Sequence, residues 1–163
     1  MKLQFEEQTA LIAKQIAKQV ERFLETKLQE RKLNRQKFAQ DSGIPASTIN
    51  GFMNEESRVP TLKTLYKIAQ YFDCTIDNIL GRSDNNDADR MSYNDISFED
   101  VNNNIRDFIK VRLTEHNLEQ SELGPLIGRS RDVIRHFMNG NQKTLGIELI
   151  VALADYFGYK YNE

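Results

Sequence analysis

Residues 23–72 and 108–157 align on one another without a gap at a constant offset of 85. The identities include Phe23/Phe108, Leu28/Leu113, Leu33/Leu118, Gly43/Gly128, Ile49/Ile134, Ala69/Ala154 and the runs Phe52-Met53-Asn54/Phe137-Met138-Asn139 and Tyr71-Phe72/Tyr156-Phe157. A tandem repeat sets the number of folding units before any other argument is made. Because identities fall mainly on apolar and turn positions, the two copies are expected to share a fold. The differences, on polar positions, change what that fold touches. Each copy, with the helix before it, has about 75 residues, enough for an all-helical core.

The apolar pattern is helical throughout. Leu11, Ile12, Ile16, Val20, Phe23, Leu24 and Leu28 recur at spacings of three and four and predict one long amphipathic helix from about Glu7 to Lys32. Short segments follow. Arg35 to Ser42 is stopped by Gly43, and Pro45 to Met53 carries Pro in its first turn. Thr61 caps a fourth helix and Thr75 to Leu80 forms a fifth, ended by Gly81. The plan then repeats. Ser97 with Asp100 opens a long helix, Gln120 to Ile127 is stopped by Gly128, Ser130 caps the next helix, and Leu145 to Phe157 is the last. No strand pattern occurs, so the fold class is all-α. The expected division is 1–81 for the first unit, 82–95 for a linker rich in Asp, Asn and Ser, and 96–163 for a second, divergent unit.

Charge is unevenly spread. The net charge is −2, yet residues 1–82 hold 13 Lys/Arg against 10 Asp/Glu, and residues 83–163 hold 9 against 14. Local distribution therefore says more about partners than the overall balance does. The lone cysteine, Cys74, closes no internal disulfide and sits between apolar positions, where a buried inert thiol is expected. With no secretory signal and no membrane-length apolar run, a cytoplasmic location is the expectation. His116 and His136 have no ligand cluster at metal spacing, and Asp84, Asp87 and Asp89 lack the Gly and terminal Glu of a calcium loop. No metal or cofactor is expected. No phosphate loop, nucleophile–base pair or carboxylate pair in an apolar setting points to an enzyme.

Two short helices joined by a Gly-centred turn form a helix-turn-helix. In Arg35-Gln36-Lys37-Phe38-Ala39-Gln40-Asp41-Ser42-Gly43-Ile44-Pro45-Ala46-Ser47-Thr48-Ile49-Asn50-Gly51-Phe52, Ala39 is small so that the helices cross closely and Gly43 makes the turn. Ile44, Ile49 and Phe52 are expected inside. Ala46, Ser47 and Asn50 are left on the outer face, the geometry of a helix that enters a major groove.

On these residues, and on Val59-Pro60-Thr61-Leu62 and Ile79-Leu80-Gly81 beyond them, the first unit resembles the phage Cro and lambda-repressor type of helix-turn-helix regulator. The second unit is similar through Gln120-Ser121-Glu122-Leu123-Gly124 and Gly128-Arg129-Ser130-Arg131-Asp132-Val133-Ile134-Arg135-His136-Phe137-Met138-Asn139-Gly140. The resemblance implies two tandem bundles of four or five helices, each preceded by a long amphipathic helix. It implies base-facing roles for Ala46, Ser47 and Asn50, and for Arg131, Asp132, Arg135 and His136. Phosphate contacts fall to Arg35, Thr48, Asn54 and Arg58 in the first unit and to Gln120 and Lys143 in the second. The function implied is a sequence-specific regulator of transcription on double-stranded DNA, a repressor of bacterial, phage or mobile-element origin. The alternative is a protein-interaction module, for example antitoxin-like, in which one unit does not bind DNA.

Two features leave the second unit divergent. Pro125 removes an amide donor from its second helix, and the adjacent Gly124 loosens that helix further. A flexible linker of 14 residues has an r.m.s. span of about 20 Å, so the units are free to form an internal pseudo-dimer or to sit apart. Leu3, Phe5, Leu11 and Ile12 extend beyond the needs of the first core and favour a homodimer through the first helix.

Overall fold

In the computed structural model the described residues are 2–54, 59–82 and 92–158, with side chains described from Glu7 onward, and they hold helices and no strand. Helix α1 spans Lys2–Glu30, and the first repeat follows as α2 (Arg35–Ser42), α3 (Ala46–Met53), α4 (Leu62–Phe72) and α5 (Ile76–Ile79). The second repeat is α6 (Phe98–Glu115), α7 (Gln120–Leu126), α8 (Asp132–Met138) and α9 (Ile147–Tyr156).

Local chemistry accounts for most boundaries. Asn34 caps α2 by accepting from the Lys37 amide at 2.7 Å, and Gly43 ends that helix at φ 73°. Thr61 caps α4, and Thr75/Asn78 and Ser97/Asp100 form reciprocal capping boxes on α5 and α6. Two starts differ from expectation. Pro45 lies just outside α3, and its carbonyl takes the Thr48 and Ile49 amides. Ser130, its repeat equivalent, does not cap α8 through its hydroxyl. Its carbonyl receives the Val133 amide at 3.5 Å, and α8 begins after Arg131.

The first core joins Val20, Leu24 and Leu28 of α1 to Phe38, Ile49, Leu65, Ile68 and Phe72, all buried. The Phe38 ring lies 5.4 Å from Phe72 and 5.1 Å from Tyr71. The second core repeats the plan with Ile109, Leu113, Leu123, Ile134, Phe137, Leu149 and Leu153. Cys74 is buried, as its neighbours implied.

The two cores are not independent. Val101, Ile147 and Val151 belong to the first cluster, and α1 packs along α9. Arg82 reaches Asp155 at 2.6 Å across this seam. Ile12 and Ile16 of α1 are engaged there, whereas Leu11 stays 56% exposed; the side chains of Leu3 and Phe5 lie outside the described residues. The expectation of a solvated linker is corrected at its C-terminal end. Ser92 donates to Asp73 at 3.0 Å, Gln70 donates to the Tyr93 carbonyl at 3.2 Å, and Tyr66 donates to the Ile96 carbonyl at 2.6 Å. The reason is Tyr93, whose ring stacks edge-on to Tyr66 at 6.0 Å and carries enough apolar area to dock a polar segment. Residues 83–91, with Asp84, Asp87 and Asp89, lie outside the described residues.

Candidate nucleic-acid interface

The outer face of α3 is set by what its inner face must bury. Ile49 and Phe52 point into the core, and Ala46, Ser47 and Asn50 are exposed on the opposite side, as their spacing predicts. Thr48 is half-buried beside them. Arg35, at the start of α2, has neutral partners on and just beyond α3 that leave its charge uncompensated. Its guanidinium donates to Asn54 Oδ1 at 3.0 Å and to Asn50 Oδ1 at 3.3 Å. One terminal nitrogen, Nη1, thus ties the N-terminus of α2 to two polar residues of the second helix and its end. Residue spacing alone gives no sign of this clamp, because 15 and 19 residues separate its partners. Asn54, which closes α3, and Arg35 are brought together. Arg58 lies outside the described residues.

Across the turn, α2 and α4 are tied by the Tyr71 hydroxyl, which donates to Asp41 at 3.2 Å. Desolvation raises the Tyr71 phenol above its ordinary value, and the Asp41 bond and charge add to the rise. Asp41 also pairs with Lys37 at 3.0 Å on the exposed face of α2.

The second unit has the same skeleton with a different charge pattern. Arg131, Asp132, Arg135 and His136 are all exposed at positions equivalent to the α3 face. Arg135 pairs with Asp132 at 2.7 Å, and Arg129 lies 3.9 Å from Glu148. Of the three arginines around α8, only Arg131 has no carboxylate within salt-bridge distance among the described residues. Lys143 is exposed in the loop before α9, where its carbonyl accepts from Arg106 at 3.3 Å. Gln120 opens α7 and is half-buried.

A contrast missed in reading the sequence is at the N-termini of α2 and α7. Where the first repeat has Asn34 and Lys37, the second has Glu119 and Glu122. Glu122 folds back to accept the Glu119 amide at 2.7 Å, and its own amide donates to the Glu119 carbonyl at 3.1 Å. The end of α7 that is equivalent to a phosphate contact therefore carries two carboxylates. The offset of 85 makes the exchange visible in the sequence, provided that capping positions are compared as well as groove positions.

Gly124 requires another correction. It is the repeat equivalent of Ala39 and marks a close approach of α7 to the Ser130 backbone ahead of α8. A Cβ there would clash with the Ser130 carbonyl oxygen. Pro125 sits in the last turn of α7 on the exposed side, and the helix ends through bonds from Ile127 to Gly124 and from Gly128 to Pro125. Having no N–H, Pro125 leaves the carbonyl of the exposed Ser121 without its intrahelical donor.

A family model for the Cro/C1-type HTH DNA-binding domain matches residues 24–85, which contain α2 to α5 and the end of α1. The match covers the first repeat. An uncharacterized HTH-type transcriptional regulator of Rickettsia prowazekii (strain Madrid E) is 37% identical over 76 residues, 45% of this chain and 83% of that protein. A second, from Rickettsia conorii (strain ATCC VR-613 / Malish 7), is 36% identical over 76 residues, 45% of this chain and 70% of that protein. No solved structure matches the chain significantly. None of the described helices is long and apolar enough to cross a membrane.

Proposed function

Since the chain belongs to the HTH-type transcriptional regulators with a Cro/C1-type DNA-binding domain, we propose that its first helix-turn-helix reads double-stranded DNA sequence-specifically and represses transcription by occupying its operator. The observation that carries this reading is the outer face of α3, where Ala46, Ser47 and Asn50 are exposed while Arg35 holds Asn50 and Asn54. A helix so presented enters the major groove with its first turns against base edges. Asn50 is the group suited to a two-point contact with adenine. Arg35, Thr48, Asn54 and Arg58 supply the phosphate contacts that fix register without reading sequence.

A second reading concerns the second unit. Glu119 and Glu122 at the head of α7, and Asp132 paired with Arg135 on α8, oppose the approach of a phosphate backbone. These charges favour a protein-interaction role for that unit over base reading by Arg131, Asp132, Arg135 and His136, with Gln120 and Lys143 then having no phosphate partner. On this reading the second repeat completes the regulator as an internal partner of the first, and the seam between α1 and α9 supports an internal pseudo-dimer over a homodimer through α1.

Selection of bound duplexes from a random pool tests both points. The native chain is expected to enrich one sequence, Asn50→Ala to lose preference at one or two of its base pairs, and an Arg131→Ala/Arg135→Ala variant to enrich the native sequence. Failure of the native chain to enrich any sequence would remove the first reading. A sequence altered by the double arginine variant would instead make the second unit a base reader.

A further inference from the structure

Where the two repeats meet they leave a half-open pocket of about 250 Å³. Its walls come from five places: Leu62 on α4, Ile76 on α5, Tyr93 on the segment before α6, Ile105 on α6 and Ile150 on α9. The lining is otherwise aliphatic or aromatic, and Asp77 and Asn104 supply the main polar groups. Well-packed interiors hold few voids larger than a water molecule. Space lined by apolar side chains holds water poorly and suits apolar guests. A mainly apolar lining with a few polar groups is the ordinary construction of a small-molecule site, and such sites occur preferentially where domains meet.

We propose that this cavity binds a neutral, ring-sized apolar molecule bearing one hydrogen-bond donor, with the ring among Ile76, Tyr93, Ile105 and Ile150 and the donor directed to the Asp77 carboxylate or the Asn104 amide oxygen. The size of the space limits the guest to one or two fused rings. The Asp77 carboxylate only accepts and the Asn104 amide offers an oxygen beside its own donors, so a donor on the guest finds an acceptor at either. Because α5 belongs to one repeat and α6 and α9 to the other, a guest touches both units at once. Binding only the assembled form, it stabilises the seam by mass action and raises the melting temperature with concentration. The proposal concerns the DNA-free chain and does not depend on which unit reads DNA.

Indole is the probe, because it is neutral, has a single N–H donor and two fused rings, and its emission is distinct in a chain without tryptophan. Titration of the full chain is expected to give a saturable blue shift of indole emission and a melting temperature that rises with indole concentration. Methyl NMR is expected to place the shifts on Ile76, Ile105 and Ile150. Toluene, which keeps the apolar ring and lacks the donor, is expected to bind roughly threefold to tenfold more weakly. Ile150→Phe, which fills the space, is expected to abolish the shift in indole emission. Should that variant not fold, the methyl shifts of the native chain decide the matter. Absence of saturation at millimolar indole, or methyl shifts confined to residues away from the cavity, overturns the proposal.

Discussion

Arg35 illustrates how much a single side chain organises. Its two hydrogen bonds restrain Asn50 and Asn54 before any DNA arrives, which lowers the ordering cost of binding. Arg35→Ala is expected to weaken binding to all sequences, to reduce the slope of log affinity against log salt by about one, and to relax preference at the base pair read by Asn50. Arg35→Lys is expected to restore the salt slope, because an ammonium keeps the charge, and to recover less of the preference, because its more flexible stem does not reproduce the guanidinium's fixed geometry. Gel shifts at several salt concentrations read both effects; an unchanged slope and preference in Arg35→Ala would place this residue away from the interface. Tyr93 supports a second expectation at this scale. Burial pushes its phenol up to about 12, Asp77 adds to the rise, and a hydrogen bond with the Ile76 backbone works the other way. An unfolded phenol ionises near 10. A group whose folded pKa is raised contributes stability that is present below the unfolded value and is lost as pH climbs to the folded one. The chain is therefore expected to lose about 2–3 kcal/mol between pH 10 and 12 from this residue. Urea denaturation of Tyr93→Phe, which has no ionisable phenol there, should show a loss smaller by that amount.

At the scale of elements, the α2–α3 and α7–α8 pairs are built with different residues at equivalent repeat positions. Ala39 packs against the first core, while Gly124 lets α7 rest on the Ser130 carbonyl. Gly124→Ala gains helix propensity of about 1 kcal/mol in isolation. The clash with backbone outweighs it, since that carbonyl cannot rotate away as a flexible side chain can. The expected net effect is destabilisation of about 1–3 kcal/mol, with the distortion centred on α7 and α8. Amide exchange should accelerate most in those helices and less in α2 and α3. A variant as protected as the native chain would show that the α7–α8 approach can relax without cost.

For the whole molecule, the decisive feature is the shared seam. Val101, Ile147 and Val151 lie in the first core although they belong to the second repeat, so unfolding either unit exposes apolar surface of the other. A single calorimetric transition is expected. Val151→Ala should cost on the order of 1–3 kcal/mol and move the entire transition down. Two resolved transitions in the native chain would show the units to be thermodynamically separate. The exposed Arg82–Asp155 pair adds direction more than energy, as surface ion pairs contribute about 0–1 kcal/mol. With Ile12 and Ile16 engaged within the chain, sedimentation at micromolar concentration is expected to find a monomer.

The repeat, the all-helical class and the position of the first helix-turn-helix were legible in the sequence. They depend on local signals: apolar spacing along one helix, a glycine at a left-handed turn, a capping side chain three residues from its donor. The outward placement of Ala46, Ser47 and Asn50 follows from the same periodicity. What local spacing does not encode is which distant groups meet. Arg35 reaches Asn50 only because α2 packs on α3. Tyr93 docks on α4 only because the chain returns across it, turning an apparently solvated segment into part of the packing. The N-terminal half of α1 looked unpartnered until α9 lay beside it. A one-dimensional pattern records which faces are apolar; the three-dimensional crossing of the helices decided which of those faces cover one another and where a cavity remains between them.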